Sequence, residues 1–150
     1  ADKAQELKDD LLKAVDEDTN AYDKYIEAKQ MPKSTKEERE KRKKAMEEGI
    51  KHAVKVPMDT AKTSFEVFDL AEKVAEHGKA DAVSDALVSA QMAYSGVIAG
   101  IANVKINLGD VEDEEFIEQM LDECERLKIE SKEKLDRVIE ISESRLKINK

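Results

Sequence analysis

Apolar positions recur in steps of three and four along nearly the whole chain, which is the spacing of one helical face. Leu7, Leu11, Val15, Tyr22 and Tyr25 mark the first stripe. It predicts a helix from about Lys3 to Gln30, ended by Met31-Pro32, because the residue before a proline disfavours helical backbone. Ser34 to Glu37 and Thr35 to Glu38 both have capping-box spacing and open a second helix. That helix begins with the charge run "KEEREKRKK" and continues on Met46, Ile50, Ala53, Pro57, Ala61, Phe65, Phe68 and Ala75. Pro57 lies inside the stripe, so a kink or a division is expected there. "EHG" ends the helix, with His77 near its negative end and Gly78 at a left-handed cap. Asp81 or Ser84 then caps a third helix that runs to about Asn107, and "LGD" at 108–110 breaks the chain again. The fourth helix spans about Asp113 to Ile148 on Phe116, Met120, Cys124, Leu127, Leu135, Val138, Ser142 and Leu146. The fold class is therefore all-α, one domain over residues 1–150, an antiparallel bundle of about four long helices.

The third helix departs from the amphipathic pattern. Ala86 to Val104 is 19 residues without a charge. Its length would span a bilayer, but Ser89, Gln91, Ser95, Asn103 and two glycines interrupt it, and it lacks an aromatic belt. The reading is a helix buried on all sides within a bundle or a dimer, not a membrane span. Gly96 and Gly100 share one face and admit a close neighbour, either internal or across a dimer.

Composition narrows the function. A net charge of −9 argues against general nucleic-acid binding, which needs cations to neutralise phosphates. The single Cys124 can form no internal disulfide and reads as a small core residue of a reduced, cytoplasmic protein. Two histidines without ligand spacing, one of them the surface-facing His52, give no reason to expect a metal. No Gly-rich phosphate loop is present. Lys41, Arg42, Lys43 and Lys44 form a basic cluster, the solvated start of a helix or an attractor for an anionic tail.

One acid breaks the first stripe. Position 18 is the missing rung between Val15 and Tyr22, and at 100° per residue Leu7, Leu11, Tyr22 and Tyr25 lie within about 40° of it. Asp16 and Glu17 point away. Asp18 thus reads as a carboxylate on an apolar face: a Lys-paired core residue, a notch that fixes helix register, or a general acid/base. Asp85, beside Ser84, is a first-turn acid favoured by the helix dipole or the rim of a pocket. Asn103 and Asn107, four apart, either hold a polar ligand or satisfy a helix terminus.

Three segments, "VDEDTNAYDKYIEAKQMPKSTKEEREKRKKAMEEGIKHAVKVPM", "GKADAVSDALVSAQMA" and "NVKINLGDVEDEEF", in that order, resemble the formiminotransferase-cyclodeaminase C-terminal domain family, which includes methenyltetrahydrofolate cyclohydrolases. The resemblance covers nearly the whole chain. It implies a dimerising helical bundle, a tetrahydrofolate derivative as substrate, and neither a metal nor a redox cofactor. It implies a catalytic role for the second acid of "VDxD", here Asp18, and a role in histidine degradation and one-carbon metabolism. Ser84, Asp85, Asn103 and Asn107 are assigned on that basis to binding or orienting folate. The family also carries an N-terminal proline- and glycine-rich loop that helps form the folate site, and these 150 residues contain no such loop. Three functions follow: a formiminotetrahydrofolate cyclodeaminase, a methenyltetrahydrofolate cyclohydrolase using the same pocket, or a non-catalytic helical dimerisation module.

Overall fold

The computed structural model describes residues 2–146. Four helices carry the chain: α1 (Asp2–Gln30), α2 (Lys36–His77), α3 (Val83–Leu108) and α4 (Glu114–Arg145). A 3-10 turn at Ala80–Ala82 leads into α3, and there is no strand among the described residues. The sequence expectation for α4 reached Ile148, which lies outside the described residues.

α2 is the spine. It packs against α1, α3 and α4, while α1 has almost no contact with α3. One core cluster joins Tyr25 of α1, Ile50, Val54 and Met58 of α2, Val97 and Val104 of α3, and Cys124 and Leu127 of α4. A second, formed by α2, α3 and α4, centres on Phe68, Ala90, Leu135 and Val138. Burial pushes the Cys124 thiol above its ordinary pKa, in keeping with a core residue.

The joints show which local signals decided. Thr35 is the cap of α2: the Glu38 N–H donates to Thr35 Oγ1 at 3.1 Å, and the Thr35 N–H donates back to Glu38 Oε2 at 3.0 Å. Asp113 caps α4 by accepting from the Phe116 N–H at 3.1 Å. Neither Asp81 nor Ser84 caps α3; its N-cap is Ala82, already helical in φ and ψ, because the 3-10 turn feeds straight into the helix. Gly78 is not left-handed. It leaves α2 in an extended conformation (φ −66°, ψ 168°). Glycine is needed there because a Cβ would sit 2.4 Å from the Val74 carbonyl oxygen. Pro57 does not divide α2, which continues through it as a single helix.

Two expectations about burial are corrected. α3 is not enclosed by this chain. Its inner face is buried, but Val88, Met92 and Ile106 are 61%, 67% and 73% exposed and form an outward stripe. The helix is long and apolar enough to cross a membrane by length and composition, yet its Ala86, Ala90, Val97 and Val104 are built into the core. Nor is Asp18 in the middle of a buried face. Leu7 and Tyr25 are buried, Leu11 is half-buried, and Val15 and Tyr22 are exposed. The seam that holds α1 to the core runs through Ala21, Tyr25 and Ala28. The backbone of Tyr25 comes up against Gly49 of α2, where an added Cβ would lie 3.1 Å from the Tyr25 Cα, while around Asp18 a groove opens between α1 and α3.

The basic cluster is tied into the fold. Arg42 donates from Nε and Nη2 to the Lys29 carbonyl at 3.1 and 3.0 Å, satisfying the C-terminus of α1. Lys43 pairs with Glu112 at 2.9 Å and Lys44 with Glu48 at 3.7 Å. With Lys29–Asp110 at 3.5 Å and Lys51–Asp113 at 2.5 Å, the Lys43 pair fastens the α3–α4 connection to α1 and α2, whereas the Lys44 pair lies within α2.

Candidate active site

The stand-off between α1 and α3 leaves a groove whose floor is α2. One part, about 360 Å³, is walled by Leu11, Ala14 and Val15 of α1 and by Gly96, Ala99 and Gly100 of α3, over Pro57 and Thr60. A second part, about 280 Å³, is polar: Tyr22, Asp23 and Asn107 line it. Asp18, Thr19 and Asn103 line both. Asp18 and Asn103 therefore stand where an apolar trough meets a polar cleft, a layout suited to a ligand with a flat apolar body and a polar reacting end.

The small residues of α3 make this groove. A Cβ on Gly100 would lie 2.7 Å from the Pro57 carbonyl oxygen and 2.9 Å from Ala61 Cβ, and one on Gly96 would lie 2.6 Å from Ser64 Oγ. The pair thus serves tight packing within the chain, against α2, which decides between the internal and dimer readings of these glycines. Close approach of α3 to α2 is what sets Asn103 across from Asp18.

Asp18 is half-buried. Ion pairs of α1 fall elsewhere, at Lys3–Glu66, Lys8–Asp9, Lys13–Asp10 and Lys29–Asp110, and Asp18 takes part in none among the described residues. It also has no hydrogen-bond partner among them, so the Lys-paired reading of this residue finds no support. Beside it, Thr19 donates to the Val15 carbonyl at 3.4 Å and Thr60 to the Val56 carbonyl at 3.1 Å. Each hydroxyl proton is thereby committed, which leaves an acceptor oxygen. Asn107 donates from Nδ2 to the Ala53 carbonyl at 2.7 Å. A free carboxylate, acceptor oxygens and an amide suit a ligand rich in N–H groups, and a carboxylate without a fixed cation can take and return a proton.

Of the five residues singled out in the sequence, the fold gathers three: Asp18, Asn103 and Asn107. Ser84 and Asp85 lie at the opposite end of α3, exposed. Eighteen residues of helix separate Asp85 from Asn103, about 27 Å along the axis. Ser84 donates to the Asp81 carbonyl at 3.4 Å, a local bond of the helix start. Within this chain neither borders the cleft that holds Asp18. Conversely, Thr19, Asp23, Pro57 and Thr60 border the groove without having been singled out for chemistry. Tyr22, which also lines the polar cleft, was already placed on the face of Asp18 by its helical spacing. Thr60 carries no such signal, since its place is set by packing between helices.

The sequence and the fold have relatives among known proteins. The family model described as formiminotransferase-cyclodeaminase matches residues 1–126. The chain is 38% identical over 137 residues to formimidoyltransferase-cyclodeaminase of Gallus gallus, covering 91% of this chain and 25% of that protein. It is 34% identical over 145 residues to methenyltetrahydrofolate cyclohydrolase of Methylorubrum extorquens, covering 97% of this chain and 70% of that one. The crystal structure of formiminotetrahydrofolate cyclodeaminase from Thermotoga maritima superposes with a TM-score of 0.80 at 26% identity, over 93% of this chain and 66% of the other. The chain thus spans about a quarter of the chicken relative's length. With the family model matching most of its length, and the fold shared with the Thermotoga structure, the chain belongs to the formiminotransferase-cyclodeaminase family.

Proposed function

We propose that this chain carries the folate site of a formiminotetrahydrofolate cyclodeaminase, with Asp18 as its proton carrier. The observation that supports this most is the placement of Asp18: half-buried, without a partner among the described residues, at the junction of an apolar trough and a polar cleft. The substrate carries a cationic N5–CH=NH2⁺ group. N10 attacks its carbon while the Asp18 carboxylate removes the N10 proton, leaving a neutral tetrahedral carbon bearing NH2. Asp18 then returns that proton to the NH2 as the C–N bond breaks. Ammonia leaves, and the N5–CH–N10 bridge keeps the positive charge. Every intermediate balances with one carboxylate, and the acidic cleft suits a substrate and product that are both cations. A positioned acid/base of this kind is worth ~10²–10⁴-fold. Asn103 is placed to orient the polar end of the folate, and the reaction as written draws on no metal or redox cofactor.

The cyclohydrolase reading rests on the Methylorubrum relative, to which the chain aligns over 97% of its length. There Asp18 would take a proton from water as it adds to the methenyl carbon. Assaying the complete protein with both substrates separates the two: ammonia release with appearance of the methenyl chromophore supports cyclodeaminase, and loss of that chromophore in water supports cyclohydrolase. Turnover of neither would favour the non-catalytic module. The reading includes a homodimer, supported by the exposed Val88, Met92 and Ile106 stripe of α3, and a cytoplasmic location, which rests on the lone cysteine of the sequence. Light scattering should then give twice the monomer mass at micromolar concentration, and a monomer mass would refute it.

A further inference from the structure

Pro57 has no N–H, so the Ala53 carbonyl one turn earlier in α2 lacks its helical donor. A proline ring also clashes with the carbonyl of the residue four positions back. The donor that reaches it comes from another helix: Asn107 Nδ2, 54 residues on, at 2.7 Å. Asn107 is half-buried in the last turn of α3, four residues after Asn103 and seven after Gly100. At Gly100 the two helices touch through backbone, since a Cβ there would meet the Pro57 carbonyl. α3 is therefore held to the proline turn of α2 at two points, and Asn103 lies between them, across from Asp18.

We propose that Asn107 is a positioning residue: its amide replaces the backbone donor that Pro57 lacks, and this fixes the rotation of α3 so that Asn103 stands opposite Asp18. Because Nδ2 is committed to Ala53, the orientation of the amide is set. The resemblance assigned Asn107 to folate, while its spacing left a helix-terminus role open; its bond to Ala53 gives it work that needs no ligand. The catalytic half of this inference rests on the proposed folate reaction; the structural half does not.

A double-substitution cycle tests it in the complete protein. Pro57→Ala restores an N–H to the Ala53 carbonyl. Asn107→Ala should lower the urea midpoint clearly in the Pro57 protein and by less than half as much beside Pro57→Ala. Equal losses in both backgrounds would overturn the proposal. If Asn107→Ala fails to fold, hydrogen exchange of the Asn107 side-chain amide in the unsubstituted protein decides the bond instead: slow exchange of one Nδ2 proton, faster in Pro57→Ala, is expected, and fast exchange in both overturns it. For turnover, Asn107→Ala should lower kcat about tenfold or more, since small misplacements of reacting groups are amplified in rate. The kcat of Pro57→Ala/Asn107→Ala should stay within about twofold of that of Pro57→Ala alone. An undiminished loss there would make Asn107 a substrate contact, and no loss in either background would leave it without a positioning role. Absence of folate turnover in the unsubstituted protein would refute the proposed function while the denaturation cycle still decides the bond.

Discussion

Gly100→Ala should destabilise the bundle, although alanine favours a helix. The change gains about 0.5–1 kcal/mol of backbone propensity. Against that, the new Cβ would lie 2.7 Å from the Pro57 carbonyl oxygen, 2.9 Å from Ala61 Cβ and 3.1 Å from the Ala61 nitrogen. Two of these neighbours are backbone of a continuous helix and the third is a Cβ fixed to it, so none can swing aside. Relief requires α3 to move away from α2 by several tenths of an ångström over several turns, disturbing Val97, Ile101 and Val104 in the core. Overpacking of this kind costs about 1–3 kcal/mol, which leaves a net loss of about 1 kcal/mol at the middle of both ranges and up to about 2.5 kcal/mol. For a chain of this length that lowers Tm by roughly 2–10 °C. Urea denaturation followed by circular dichroism should show a lower midpoint at unchanged slope. A midpoint equal to or above that of the unsubstituted protein would refute the claim that α3 rests on α2 through this glycine, and with it the argument for how Asn103 is set across from Asp18.

Two further predictions concern α4. Ser142 Oγ is buried with no hydrogen-bond partner among the described residues, so Ser142→Ala should raise stability by about 0.5–2 kcal/mol; a loss would mean that this hydroxyl is satisfied, for instance by an internal water. Asp113 is held below the ordinary carboxylate range by its bond from Lys51 and then by that from the Phe116 N–H. A group depressed in the folded state stabilises it above its unfolded pKa, near 3.8, and loses that contribution as the pH falls from there toward the folded value. Asp113→Asn should therefore lower the urea midpoint at pH 7, and the gap should close as the pH is taken down from about 4; a gap constant from pH 7 to pH 3 would contradict this.

Helix existence was legible because it rests on local pattern. Leu7 and Tyr25, the Thr35–Glu38 box, and the Cys124–Leu127–Leu135–Val138 stripe each carry their own spacing. The errors lie where a neighbour decides. Gly78 is required by the Val74 carbonyl, not by a left-handed backbone, and a sequence does not reveal which of a glycine's two uses is in force. Ala82 displaced Asp81 and Ser84 as the cap because a 3-10 turn precedes α3. At the site, the face of Asp18 was read correctly but its depth was not: alanines 21 and 28 form the seam, and a stripe drawn from large residues overlooks them. Asn103 and Asn107 were legible as a pair, yet the partner of Asn107 lies 54 residues away. Ser84 and Asp85 were singled out by their place at the start of the uncharged helix and assigned to folate by resemblance, whereas the helix length that separates them from Asp18 was already implied by the residue count.

The central claim is that the Asp18 carboxylate moves the proton in a folate reaction, and kcat of Asp18→Asn in the complete protein tests it most directly. Asparagine keeps the shape and removes the ionisable proton. Asp18 has no ion pair to lose among the described residues, so the variant should fold, bind the folate substrate, and fall at least about 10²-fold in kcat. Asp16→Asn serves as the control, exposed and about 160° around the helix, and should turn over as the unsubstituted enzyme does. An Asp18→Asn enzyme that folds, binds folate and retains near-normal kcat would contradict the account.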